Sequence, residues 1–188
     1  MKLRVLTLLV VTLLMISTAS AQSVFTAKLQ GFQEAPAVVS AGTGNVRITI
    51  SDDGTSIKYE LTYSGLEGST VPGGKVLFAH IHVGQRNVSG GVAVFFCGGG
   101  KSATTQAACP ASAVGANAIT GTWTAADIVG PTAQGVDPTD PNGEDAFARF
   151  IKAIRAGRSY ANVHSTRSPS GEIRGQLVRS HGDDEDDD

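Results

Sequence analysis

Of the 188 residues, two are cysteine, one is tryptophan and 17% are charged. These shortages narrow the field. Cys97 and Cys109 stand twelve positions apart, far from the C-x₂₋₄-C spacing of thiolate zinc modules. Basic residues form no stripe interleaved with aromatics, which argues against nucleic acid as a partner. Beyond the N-terminus no apolar run approaches the about 20 residues of a membrane-spanning helix. Nucleophile elbow and triad spacing are missing. Gly90-Gly91 and Gly98 to Gly100 lack the strand and helix that would make them a phosphate cradle. No internal repeat is visible.

The two ends differ from the body. Lys2 and Arg4 precede an apolar run from Val5 to Ile16, and Ala19-Ser20-Ala21 has the form that signal peptidase reads. The expectation is a signal peptide over 1–21, cleaved after Ala21, and a secreted or periplasmic product. At the other end Asp183 to Asp188 is an unbroken acidic block, so 181–188 reads as a disordered acidic tail. With Lys2 and Arg4 set aside, thirteen basic residues face seventeen acidic ones, six of them in that block. The body between the ends, 22–180, is thus mildly positive and long enough for one domain with a real core.

That body reads as strands. Phe25, Ala27 and Leu29 alternate with polar neighbours, as do Val46, Ile48 and Ile50, and Ile57, Tyr59, Leu61 and Tyr63. Asp53-Gly54 is a hairpin signal between the last two. Val76 to Val83 and Gly91 to Cys97 are more continuously apolar, as strands covered on both faces are. Ile119 to Thr124, Tyr160 to Ser165 and Gly171 to Val178 complete the set. One segment has the helical period instead: Phe147, Phe150, Ile151 and Ile154, with Glu144 and Asp145 ahead and Gly157 behind. Thr124 to Val129 reads as a further helical turn, and 130–142, with three prolines, as a loop. The predicted fold is all-β, an antiparallel Greek-key sandwich or barrel of about eight strands with one late amphipathic helix near 143–156.

Four stretches resemble the CHRD (chordin-type) domain family. They are Phe25 to Gln33 with Glu34-Ala35-Pro36, then Ala79-His80-Ile81-His82-Val83-Gly84, then Ala156 to Ser165, and finally Gly171 to Leu177. The resemblance spans Val24 to about Arg179. It implies export and a β-sandwich-like fold, and it brings no reaction. Chordin's growth-factor role does not transfer, because this chain has one domain and none of chordin's cysteine-rich modules.

Two motifs hold three of the four histidines. His80 and His82 are two apart on one strand, so they share a face about 6.6 Å apart at Cα. His164 lies on another strand with Asn162 and Tyr160 on its face. If those strands are neighbours, three imidazoles converge, a set that suits copper or zinc in an exported protein. Ala79, Ile81, Ala161 and Val163 would then face the core and the rings outward. Asn162 or Glu172 would orient a ring through its second nitrogen. The alternative is polar packing that fixes strand register through Asn162, Tyr160, Glu172 or backbone. Glu172 and Arg174, two apart, are also a possible ion pair. Cys97 and Cys109 are expected to form a disulfide. Three readings of function follow, in this order: an exported non-catalytic binding or structural module for an extracellular protein or surface polymer, a copper- or zinc-binding protein using His80, His82 and His164, and last an enzyme, for which no catalytic constellation is visible.

Overall fold

The computed structural model describes residues 23–70, 72–100, 106–140 and 145–180. The expected signal peptide, the acidic tail with His181, and Glu144 lie outside the described residues. Among the described residues there are nine strands: β1 (Ser23–Gln30), β2 (Thr43–Ile50), β3 (Ile57–Ser64), β4 (Val76–Val83), β5 (Gly91–Cys97), β6 (Ile119–Trp123), β7 (Ser159–Ser165), β8 (Ile173–Gln176) and β9 (Val178–Arg179). They form one antiparallel sheet in the order β5-β4-β7-β8-β1-β2-β3-β6, with β9 on β1. The sheet curls into a nearly closed barrel. At the seam the indole of Trp123 on β6 donates to the carbonyl of Phe95 on β5 at 2.9 Å. The all-β expectation holds, in its barrel form.

Local chemistry explains the elements. The β2–β3 hairpin turns at Gly54, whose φ of 69° is the left-handed conformation glycine accepts. Asp53 fixes that turn by accepting from the Ser51 hydroxyl and from the Thr55 amide and hydroxyl. Along β3 buried and exposed residues alternate for four positions from Ile57, as a strand with one face on a core must. The inward residues Leu29, Ile48, Leu61, Ile81, Val94, Val163 and Ile173 are all at most 1% exposed.

Helix α2 (Ala146–Arg155) begins at Asp145, whose carboxylate accepts from the Phe147 amide. Phe147, Phe150, Ile151 and Ile154 are buried, and α2 covers the barrel end where Phe25, the Gly54 turn and Gln176 lie. A short helical turn, α1 (Glu67–Thr70), was not anticipated. The turn expected after Thr124 is a 3-10 turn, Ala125–Asp127, closed by a Thr124–Asp127 capping box. Gly171 to Val178, read as one strand, is divided at Leu177. β8 pairs with β7 and, at Arg174, with β1, while β9 pairs with β1 alone, because buried Leu177 turns into the core and its amide bonds the Ser159 carbonyl. Cys97 and Cys109 are joined, with Cα atoms 5.0 Å apart, tying the end of β5 to the following loop.

Candidate metal centre

β4 and β7 are hydrogen-bonded neighbours. Their register sets Phe78 opposite His164, His80 opposite Asn162 and His82 opposite Tyr160. Alternation then divides the pair into two faces. Ala79, Ile81, Ala161 and Val163 face the barrel interior and are fully buried. The histidines take the other face. On the β5 side the register shifts between Ala79 and His80 and again between Ile81 and His82, irregularities that bend a strand and re-aim side chains.

The rings do leave the core side, but they do not meet solvent. His80, His82 and His164 are 2%, 8% and 7% exposed. Aromatic cover is the reason. Phe78 stacks on His80 at 5.4 Å between centroids and leans on His164 at 4.7 Å. Phe95 meets His80 edge-on at 5.1 Å, and Tyr160 stacks on His82 at 4.5 Å. The His80 ring lies 4.4 Å from that of His82 and 4.6 Å from that of His164.

Two backbone carbonyls orient the rings. Nδ1 of His82 lies 2.8 Å from the Gly90 oxygen, and Nδ1 of His164 lies 2.9 Å from the Pro169 oxygen. A carbonyl only accepts, so each Nδ1 carries the proton and each Nε2 keeps a lone pair. Those Nε2 atoms, together with Nδ1 of His80, are buried and have no hydrogen-bond partner. One ring nitrogen from each histidine lies within 4.8 Å of the others. This geometry sits inside a recognisable domain, for the CHRD domain model matches residues 25–177, most of the chain. The chain belongs to the CHRD domain family. No curated protein and no solved structure matches it. Membership supports a non-catalytic module at the coarse level, and CHRD domains are typically extracellular. Among the described residues no helix is long and apolar enough to cross a membrane.

Burial sets the protonation of this CHRD domain's histidines. It holds His80 far below the ordinary imidazole range and lowers His82 to about 4, while the Gly90 bond partly opposes the shift at His82. His164 is lowered too, again by burial first. All three are neutral at neutral pH, the form in which imidazole binds a metal.

The loop that supplies Gly90 is itself clamped. Arg174 donates to the carbonyls of Gln85 and Val88 at 3.0 and 2.9 Å, and its guanidinium lies 3.4 Å above the Tyr160 ring. The Tyr160 hydroxyl accepts from the Gly90 amide at 3.1 Å. A side chain at position 90 would run into the Val83 carbonyl oxygen, so glycine is required there.

Neither Glu172 nor Asn162 hydrogen-bonds a histidine ring among the described residues. Glu172 is fully buried beside Ser165, the residue that follows His164. It accepts from the Ser40 hydroxyl at 2.8 Å, the Glu67 amide at 2.6 Å, the Gly68 amide at 3.4 Å and the Ser165 hydroxyl. A carboxylate saturated by four donors has none to spare for a ring. It also leaves Arg174 to the 84–90 loop rather than to a Glu172 ion pair. Asn162 donates to Glu34 at 3.4 Å. Glu34, which sequence reasoning passed over, is 8% exposed, and one of its oxygens has no partner. Burial pushes its carboxyl up to about 7, against the pull of Arg174 and Asn162. Its place in the opening motif, ahead of Ala35-Pro36, was the available signal.

Proposed function

We propose that this CHRD domain is an exported, non-catalytic binding module whose ligand is a single copper or zinc ion held by His80, His82 and His164. The observation that carries the reading is the set of three buried, unpartnered, neutral ring nitrogens on one strand pair. A buried polar atom without a partner costs about 1–3 kcal/mol. Three gathered in one place ask for a common partner. An all-imidazole set suits borderline ions such as zinc and copper better than oxygen-seeking calcium or magnesium. Polar packing that fixes register accounts for the Nδ1 bonds to Gly90 and Pro169 but leaves the Nε2 atoms idle. Bound metal would use those atoms, with the two carbonyls holding tautomer and ring orientation. Metal–nitrogen bonds of about 2.0–2.1 Å require the nitrogens to close by roughly an ångström, within the reach of small ring rotations.

Export is supported by the 1–21 pattern and by the disulfide, which persists in oxidising compartments. N-terminal sequencing of secreted protein is expected to begin at Gln22. The metal reading is tested by titrating chelator-stripped protein with Cu(II) and Zn(II) and following heat and tyrosine fluorescence. One equivalent is expected to bind, and His82→Ala is expected to lose stoichiometric uptake. A triple His→Ala variant that binds as tightly as the parent ends the proposal.

A further inference from the structure

The end of the barrel covered by α2 carries a second, unrelated arrangement. A cavity of about 450 Å³ there is lined by Arg86, Arg155, Arg158 and Arg179, beside Phe25 and Gln176, and by no carboxylate. The four arginines come from four places: the loop after β4, the last residue of α2, the residue before β7, and β9. All four are exposed. Among the described residues their side-chain hydrogen bonds are single, long and to neutral groups: Arg158 to the Gln85 side chain and Arg179 to the Ser23 hydroxyl, each at 3.4 Å. None is ion-paired among the described residues.

The positive field continues past this cavity. A cleft of about 320 Å³ shares Arg158 and adds Arg149 and Lys152. Another of about 400 Å³ shares Lys152 and Arg155. Across the three, and among the described residues, Arg86, Lys152, Arg155, Arg158 and Arg179 meet one acid, Asp53, whose carboxylate is occupied by Ser51 and Thr55. Helix polarity explains part of this, since Lys152 and Arg155 sit in the last turn of α2, where cations offset the negative end. It does not explain Arg86 or Arg179, which belong to other elements. Like charges crowded around one cavity repel, and an anion relieves that repulsion. Guanidinium forks match carboxylate, sulfate and phosphate oxygens two at a time. Clefts that share lining residues in this way suit an extended ligand with repeated charges rather than a lone ion. The only aromatic lining them is Phe25, which is 2% exposed, so there is no platform for stacking bases.

We infer that this arginine-lined cleft binds an acidic polysaccharide, its carboxylate, sulfate or phosphate groups seated on Arg86, Arg155, Arg158 and Arg179. The histidine centre plays no part in it. Labelled polygalacturonate, dextran sulfate and a phosphate-bearing dextran serve as probes, with a thymidine oligonucleotide as comparison, each titrated against the full secreted chain at several salt concentrations. At least one of the three polysaccharides is expected to bind, with affinity falling as salt rises, and the strongest identifies the oxyanion. Arg86→Gln with Arg179→Gln is expected to weaken binding about tenfold or more and flatten the salt dependence. Lys28→Gln with Lys58→Gln, an equal loss of charge on exposed strand positions, is expected to leave it unchanged. A chain ending at Ser180 removes the acidic block as an internal competitor, and tighter binding by that variant supports the same site. Equal weakening by both double variants overturns the proposal. So does tighter arginine-dependent binding of the oligonucleotide, or no polysaccharide binding by either the full or the shortened chain.

Discussion

The inner and outer faces of the β4–β7 pair are buried to nearly the same extent and built on opposite principles. The inner face holds Ala79, Ile81, Ala161 and Val163, which need nothing from their surroundings but contact. The outer face holds three histidines and Asn162, and four of its buried polar atoms lack a partner. Burial of apolar atoms stabilises the barrel at about 25 cal/mol per Å². Burial of unpartnered nitrogens opposes it. The contrast teaches that burial alone does not mark a structural residue: on one strand the same exclusion from water builds the core at one position and leaves a ring nitrogen without a partner at the next.

The sharpest way to break that contrast is to substitute both faces in metal-free protein. Ile81→Ala is expected to cost about 3–4 kcal/mol in urea unfolding, through lost contacts and a cavity. His80→Leu, one residue away, is expected to be neutral or stabilising, because it removes an unpartnered nitrogen. Equal losses at the two positions would make the histidines ordinary packing residues. Acid separates the faces next. The folded state keeps His82 neutral down to about 4, while the unfolded chain takes up its proton near 6.5. The folded pKa is the lower one, so the stability is present above 6.5 and drains away as pH falls toward 4. The expected loss is on the order of 3 kcal/mol, and a triple His→Leu variant should not show it. Metal bound to the parent should steepen the same acid loss.

Smaller effects test the cover over the outer face. Cys97→Ser with Cys109→Ser opens a loop of twelve positions and is expected to cost about 2–3 kcal/mol in thermal unfolding. The damage should fall at the β5 end, where Phe95 covers His80. Glu34 gives the smallest signal and one of opposite sign. Its folded pKa, about 7, lies above the ordinary 4.5. Its contribution is therefore intact below 4.5 and lost as pH rises through 7. Glu34→Gln should match the parent near pH 4 and exceed it by about 1–2 kcal/mol at pH 8. A parent that gains stability between pH 5 and 8 relative to the variant would contradict the assignment.

Much of this was legible in the residues themselves. Alternation gave β1, β2 and β3, because each has one face on the core. Continuous apolar runs marked β4 and β5, because both of their faces are covered. Period two placed His80 and His82 together, and the closing motif brought His164 into the same domain. The rest depended on distance in three dimensions. Gly90 and Pro169 act through carbonyl groups, which every residue carries, so no side-chain pattern announces them. Glu172 carried the right chemistry for orienting a ring and lies close to His164, but the fold hands its oxygens to the hydroxyls of Ser40 and Ser165 and the amides of Glu67 and Gly68. The four arginines of the cleft are scattered from 86 to 179 and gather only when the barrel closes. The division between β8 and β9 follows from Leu177 finding the core, an outcome that local alternation does not foretell.

The short segment 84–90 holds a final consequence. Arg86 lines the arginine cavity, Gly90 orients His82, and Gln85 and Val88 receive Arg174. These attachments belong to different sites, yet one stretch of backbone serves them all. A heritable change within it is therefore pleiotropic. An insertion that widens the cavity also displaces the carbonyl that orients His82, and a bulkier residue at 90 shifts the loop that presents Arg86. Selection acting on either site reaches the other through those seven positions, so the two surfaces of this domain cannot drift independently of each other.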